Sequence, residues 1–298
     1  MKNFIMRPYR TFTLIVATLL AVALFSGCSA IRLGYNNGEM LVYWWLDSYV
    51  DVSSEQRPWV KKRIDDLFAW HRRSQLTGYA ELMTRIQKEV QNNATKPEIL
   101  ATIDELKRQS IVIIDHALPD LADLALSLQP EQIAALEKKF ASVNKKYNKE
   151  YLTGSVEERQ QYRYEKVMEQ AEQWFGEFSP AQEAAIKHAS DERPLNNELW
   201  RDERVGRQQD LIALLKKIHA EKPTREATMQ MLKDYSSLAL FDTGDRGVNE
   251  QFFSGTKEGM ANLLAAIIST ASPRQKKRAI DRMQEWGEIF IELAMAPD

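Results

Sequence analysis

Four short motifs, each ending in glutamine, constrain the fold of this chain more than any other feature of its sequence. They are VSSEQ, LQPEQ, FSPAQ and ASPRQ, which end at Gln56, Gln132, Gln182 and Gln275. Three of them contain the S-x-x-Q spacing of a capping box, in which serine and glutamine side chains satisfy free amides at a helix start. Pro180 and Pro273 follow their serines at the first helical position, where proline is tolerated. The motifs therefore predict helix starts, and their separations of 76, 50 and 93 residues exclude a regular solenoid repeat.

The rest of the chain also favours helices. Only 12 glycines and 10 prolines occur in 298 residues, while strong helix formers are abundant. Val60, Ile64, Leu67, Phe68 and His71 follow the spacing of one buried helix face. We predict an all-α, multi-helix bundle-like body over residues 41–298, with Pro119, Pro194 and Pro223 between helices. The expected helices are 41–51, 54–74, 77–92, 97–117, 130–152, 156–176, 180–190, 197–220, 225–240, 248–269 and 273–295.

The N-terminus has the organisation of a secretory signal. Lys2, Arg7 and Arg10 precede an uncharged run at residues 11–25, which is shorter than the ~20 residues of a membrane-spanning helix. The sequence LFSGCSA at residues 24–30 resembles the lipobox of bacterial lipoproteins, although Phe25 stands where leucine is usual. This resemblance implies cleavage before Cys28 and acylation of its thiol and α-amine. The alternative is an uncleaved anchor helix in which Cys28 has no special role.

These features predict three segments: a signal peptide at residues 1–27, a lipidated tether at 28–40 and the helical domain at 41–298. We expect the tether to be irregular because Gly34, Asn36, Asn37 and Gly38 interrupt it. The acyl chains on Cys28 make a membrane the expected partner. In a bacterium with two membranes, Ser29 rather than aspartate after the cysteine favours the inner leaflet of the outer membrane, with the body in the periplasm.

The aromatic segment at residues 41–51 has two interpretations. Tyr43, Trp44, Trp45 and Tyr49 either fill the core of the helical body or rest on the bilayer interface, where amphipathic rings are favoured. We favour the core.

Charge and motif content give no catalytic, metal or cofactor site. The net charge is −2 and becomes −5 without residues 1–27, which gives no support for nucleic-acid binding. Cys28 is the single cysteine, and the four histidines form no helical metal pair. Asp242 and Asp245 in the irregular stretch 241–256 do not match a calcium loop, so we expect a solvated turn there.

One helical segment is a candidate binding patch, formed by Asp66, Trp70, His71, Arg72 and Arg73. Asp66 and Trp70 are helical neighbours four residues apart. Such a patch suits an anionic headgroup, a glycan or a protein carboxylate. The alternative, which we favour, is a buried His71 with a salt-bridged outer face.

Two resemblances bear on function. The glutamine motifs resemble the L-T-x-x-Q motif of Spy-like periplasmic chaperones, although none has the Leu-Thr pair. The pieces at residues 28–37, 45–49, 53–56 and 69–82 resemble a family of uncharacterised proteobacterial lipoproteins, which implies a helical envelope lipoprotein and no known activity. We therefore expect a non-enzymatic binding, scaffold or chaperone-like role with an envelope protein or glycan partner. The alternative is a hydrolase acting on an envelope polymer such as peptidoglycan.

Overall fold

The structure, a computed structural model, describes residues 26–237 and 249–296, with side chains described from Ile31 onward. Its described part contains twelve α-helices and no strand, which confirms the all-α prediction. Residues 1–25 of the expected signal peptide lie outside the described part, as do Asp242 and Asp245. The helices are α1 (Ser26–Asn36), α2 (Gly38–Val50), α3 (Arg57–Ser74), α4 (Leu76–Gln91), α5 (Lys96–Ser127), α6 (Pro130–Tyr151), α7 (Val156–Phe175), α8 (Pro180–Asp191), α9 (Asn197–Glu221), α10 (Arg225–Ser236), α11 (Glu250–Thr270) and α12 (Pro273–Met295).

The segment predicted to be irregular, residues 29–40, is helical instead. The backbone of Asn37 bridges α1 and α2, donating to the Leu33 carbonyl at 3.1 Å and accepting from the Leu41 amide at 3.0 Å. Gly38 is a site of close packing and not a helix breaker, since a Cβ there would collide with the Phe68 ring. Gly38 therefore allows a close helix contact that a local sequence pattern does not show.

The aromatic residues of α2 divide between the two faces of the helix. Tyr43 is buried, and Tyr49 packs half-buried against the core. Trp44 and Trp45, by contrast, are 56% and 61% exposed. The favoured prediction that these tryptophans fill the core is therefore wrong, because α2 turns them away from the helices it packs against.

Two large hydrophobic cores lie along the molecule and share one helix. The first core is built mainly from α2, α3, α6, α9 and α10, and the second from α7, α8, α11 and α12. The 32-residue helix α5, about 48 Å long, contributes Ile99 to the second core and Leu118 and Ala122 to the first. Pro119 was expected between helices but lies inside α5. Packing of its neighbours in the first core outweighs the local preference of proline for helix ends.

A third, smaller core joins the N-terminal helix to the body. Leu76 of α4 and Ile289 and Leu293 of α12 are buried together, with Ile31 and Tyr35 of α1 packed against them. The helix pair α4 and α12 makes the most extensive contact in the described fold. Because α1 also packs against α12, the start of the described chain lies against its end.

The glutamine motifs cap helices as predicted and also pair with one another. Capping boxes form at Ser179–Gln182 and Ser272–Gln275, and Gln129 takes the place of serine at α6. At the first motif, the Ser53 amide donates to Gln56 at 3.1 Å and the Gln56 amide donates to Ser53 at 3.2 Å. The box prediction is thus confirmed at Ser179–Gln182 and Ser272–Gln275. At Ser53–Gln56 the same reciprocal bonds form in the turn before α3, whose N-cap is Gln56.

The Nε2 group of each motif glutamine also donates a hydrogen bond to the glutamine of a distant motif. Gln132 donates to Gln56 Oε1 at 2.8 Å, and Gln182 donates to Gln275 Oε1 at 2.8 Å. We call these two pairs the glutamine bridges. The Nε2 groups of each bridge also donate to backbone carbonyls of the other helical hairpin. These carbonyls lie at the end of that hairpin's first helix or in its turn. Thr270 O, for example, accepts from Gln182 at 2.7 Å. One bridge lies in each half of the molecule and fixes how two helical hairpins meet.

Candidate functional site

The structure does not bring the predicted patch of α3 together as one surface. Asp66 is paired with Lys62 and lies 3.5 Å from Arg63, and the hydrogen bond from Lys62 lowers the pKa of its carboxyl. Trp70 stacks on His116 of α5 at a ring distance of 3.7 Å. Arg73 is exposed. These side chains therefore contact different neighbours.

His71 and Arg72 face the N-terminal helices. Arg72 lies 4.0 Å from Glu39 and over the Tyr35 ring at 5.8 Å. The His71 ring lies between two tyrosines, with Nδ1 3.0 Å from the Tyr35 hydroxyl and Nε2 3.2 Å from the Tyr79 hydroxyl. Burial lowers the pKa of His71 and raises the pKa values of Tyr35 and Tyr79. A neutral imidazole with one donor and one acceptor nitrogen suits this arrangement, which joins α1, α3 and α4.

A second region, which the sequence did not suggest, has the features of a ligand site. The end of α6, the following turn and the starts of α7 and α9 surround an open cleft of about 590 Å³. We call it the tyrosine cleft. Its aromatic side chains are all half-buried, so part of each ring faces the cleft: Tyr147, Tyr151, Tyr162 and Trp200. Pockets that combine aromatic walls with a few polar groups are typical of small-molecule sites.

The rings of the cleft form a connected cluster. Tyr151 lies 4.8 Å from the Tyr147 ring and 5.7 Å from the Tyr162 ring. Asn197, at the start of α9, donates to the Tyr151 carbonyl at 2.6 Å and so holds α9 against the end of α6. Trp200 packs edge-on against Phe253 at 4.9 Å. The aromatic side chains of the cleft therefore come from α6, α7 and α9, and α11 supports Trp200.

The carboxylates of the cleft already accept hydrogen bonds from the protein. The Tyr162 hydroxyl donates to Glu150 at 2.6 Å, which raises the pKa of Tyr162 and lowers that of Glu150. Glu158 accepts from the Ser155 amide at 2.7 Å in the capping box of α7. Both carboxylates thus have structural roles, and Glu150 is held in its charged form.

Two arginines support the wall of the cleft. Arg163 donates to the Ser190 and Pro194 carbonyls, both at 2.9 Å, and lies beside the buried Arg193. Burial, together with the charge of Arg163, lowers the pKa of Arg193 to about 10. Cations are stabilised at a helix C-terminus, here the end of α8. The pair therefore fixes residues 192–196, and Leu195 of this segment lines the cleft.

The other chemistry of the described fold is sparse. Within residues 26–237 and 249–296, no cluster of histidine, cysteine, aspartate and glutamate has the make-up of a metal site. Burial raises the pKa of one carboxyl, Asp120, which lies 4.0 Å from Arg63 on the surface between α3 and α5. None of the described helices has both the length and the apolar character that a membrane crossing needs.

Sequence reasoning missed the tyrosine cleft because its residues come from distant parts of the chain. Tyr147 and Tyr151 are four residues apart and so share a face of α6. That spacing was the one local signal, and it is equally typical of a core. Trp200 reaches the cleft only because α9 returns to the end of α6.

The fold defines the class of the protein, which is an all-helical body with two large hydrophobic cores, two glutamine bridges and the tyrosine cleft. The chain belongs to a family of unknown function, DUF6279, whose match covers residues 48–240. This range includes His71, the first glutamine bridge and the lining of the tyrosine cleft. Searches of curated proteins and of solved structures found no significant match.

Proposed function

We propose that this chain is a lipid-anchored protein of the bacterial envelope with a non-enzymatic binding role. The lipobox-like sequence at residues 24–30 supports acylation of Cys28. Two or three acyl chains anchor a protein firmly, whereas one holds it weakly. Ser29 favours the inner leaflet of the outer membrane, which would place the helical body in the periplasm.

The tyrosine cleft carries the binding proposal. It is open, and it presents the partly exposed rings of Tyr147, Tyr151 and Tyr162 beside charged side chains at its edge. Sugar rings offer C–H faces that pack on aromatic rings and hydroxyls that bond polar groups. An envelope glycan is therefore the ligand class that the cleft suits best.

A hydrolase would use the same cleft differently. Glycoside hydrolysis needs a carboxylic acid that stays protonated near neutral pH beside a second carboxylate. In the cleft, Tyr162 lowers the pKa of Glu150, and Glu158 caps α7. These bonds favour binding over catalysis.

Titration with soluble peptidoglycan fragments tests the glycan proposal. The purified protein should release or absorb heat with a saturable isotherm in calorimetry. Tyr151→Leu removes the central ring while keeping an apolar side chain, and we expect at least a tenfold loss of affinity, or about 1.4 kcal/mol. Tyr164→Leu is the matched control, since Tyr164 lies on α7 and packs against the second core. Absence of heat, or equal loss in both variants, would overturn the proposal.

Cys28→Ala tests the anchor independently. We expect the mature protein to carry acyl mass on its N-terminal peptide and to fractionate with membranes. The variant should lose the acyl mass and retain its leader or leave the membrane fraction. An unmodified Cys28 peptide from the native protein would show that the anchor proposal is wrong.

A further inference from the structure

The N-terminal helices carry an exposed row of large apolar side chains. We call it the apolar stripe, and its members are 43% to 66% exposed: Leu33, Met40, Leu41, Trp44 and Trp45. Relative to the first member they stand at positions +7, +8, +11 and +12, the spacing of one helix face. Since Asn37 continues the hydrogen bonding between α1 and α2, the two helices can present this row as one surface.

The opposite face of α2 is already occupied. Tyr43 and Val50 are buried in the first core, and Val42 and Leu46 pack against it. Helix α2 is thus apolar on both sides, and packing within the body accounts for only one of them. A continuous exposed apolar patch of this kind marks a surface for contact with a protein or a membrane.

The position of the stripe in the chain indicates which apolar phase covers it. It begins five residues after Cys28, in the helix Ser26–Asn36 that contains this cysteine. With a rise of about 1.5 Å per residue, Trp45 lies within about 25 Å of Cys28 along the helix path. The chain that precedes the described part is the uncharged run at residues 11–25 with its basic start. Cys28 and the uncharged run, which both precede the stripe, are therefore segments suited to membranes.

The chemistry of the stripe and its surroundings also suits a bilayer surface. Tryptophan is enriched where hydrocarbon meets headgroups, and interfacial helices bury one apolar face there. A lysine lies beside the exposed side of α2, where Lys139 donates to the exposed Ser48 at 3.1 Å. Cations next to an apolar face complement anionic lipid headgroups.

We propose that the apolar stripe inserts into the headgroup–hydrocarbon boundary of the membrane that holds the protein. The stripe would then be a second membrane contact beside the lipid anchor, and it would fix the orientation of the helical body. This inference rests on the proposed membrane location. It does not require that Cys28 itself be acylated, since an uncleaved leader would hold α1 at the same surface.

Tryptophan quenching by brominated lipid tests the insertion. The full-length protein, purified from membranes, is reconstituted into vesicles of phosphatidylethanolamine and phosphatidylglycerol with brominated acyl chains. We expect quenching of the native protein and loss of most of that quenching in the double variant Trp44→Phe, Trp45→Phe. The matched control is Trp174→Phe, Trp286→Phe, which removes another contacting tryptophan pair, with ring centroids 4.9 Å apart. This control should retain the quenching.

The competing occupant is a second copy of the chain. In that case brominated lipid would not quench Trp44 and Trp45, and replacing both by serine would dissociate a dimer in sedimentation. Either an unquenched native protein or quenching that survives the double substitution overturns the insertion. The mass of the Cys28 peptide is measured on the same sample, so failure of the anchor and failure of the insertion are read separately.

Discussion

At the scale of single residues, the glutamine amide explains how helix starts become joints between hairpins. Gln132 uses Oε1 to accept the Gln129 amide at 3.0 Å and Nε2 to donate to the Asp51 carbonyl at 3.0 Å. A serine or alanine at this position cannot reach both sites. The buried amide is therefore worth more than an ordinary cap, because its loss leaves partners unsatisfied in two hairpins.

Gln132→Ala tests this role. We expect the free energy of unfolding to fall by about 1–3 kcal/mol, since buried amide and carbonyl groups lose their partners. Urea unfolding followed by circular dichroism measures it. Gln161→Ala is the control, because Gln161 is exposed and bonds Glu165 in the same helix. Its effect should stay within about 0.5 kcal/mol. Similar losses in both variants would contradict the role of the bridge.

His71 gives the fold a pH dependence with a definite sign. Burial lowers its pKa in the folded state below the ordinary value of 6.5. As pH falls below that value, the unfolded chain binds a proton that the folded chain resists, so the free energy of unfolding decreases. The contribution of the neutral His71 to stability is fully present above pH 6.5, and it is lost as pH falls towards the lower pKa of the folded state.

Replacing the histidine isolates this contribution. We expect His71→Gln to reduce the slope of stability against pH between about pH 7 and about pH 5. Urea unfolding at several pH values measures the slope. His188→Gln is the control, because the His188 side chain is 77% exposed. A slope that His188→Gln changes and His71→Gln does not would contradict this assignment.

At the scale of elements, two glycines of the N-terminal helices have opposite roles. A Cβ on Gly34 would meet nothing within 4 Å, whereas one on Gly38 would collide with the Phe68 ring. Both glycines lie in helices, where glycine is less favourable than alanine by about 0.5–1 kcal/mol. Only Gly38 therefore has a packing reason to be glycine.

The matched pair Gly34→Ala and Gly38→Ala tests this difference. We expect Gly34→Ala to raise the free energy of unfolding by about 0.5–1 kcal/mol. Gly38→Ala should lower it by about 1–3 kcal/mol, because α2 must move away from α3. Thermal and urea unfolding measure both. If the two variants shift stability in the same direction, the close contact of α2 with α3 is wrong.

The elements also show which features local sequence can predict. Helices with caps, such as α8 and α12, begin at the predicted prolines because a capping box is complete within four residues. The path of residues 29–40 was missed because it depends on Phe68, thirty positions beyond Gly38. Likewise, the bridges join glutamines 76 and 93 residues apart, and the tyrosine cleft needs α9 to return to α6. Capping residues close in sequence thus determine where a helix begins, whereas long-range packing determines where the bridges and the cleft form.

At the scale of the whole molecule, the shared helix α5 links two cores that are otherwise built from different helices. Each core has its own glutamine bridge and its own fully buried isoleucine, Ile218 in the first and Ile186 in the second. Local unfolding follows such cooperative units, each with its own opening free energy. We therefore expect the two halves to open separately before the molecule unfolds.

Hydrogen exchange in Ile218→Ala and Ile186→Ala tests this prediction. Each change removes buried methyl groups and should cost about 2–5 kcal/mol in the core that contains it. In Ile218→Ala, exchange should accelerate in α6, α9 and α10 while α8 and α11 keep their protection. Ile186→Ala should give the reverse pattern. Mass spectrometry of peptides from each helix distinguishes the two. If either variant accelerates exchange uniformly over both sets of helices, α5 couples the cores into one unit and the prediction of separate opening is wrong.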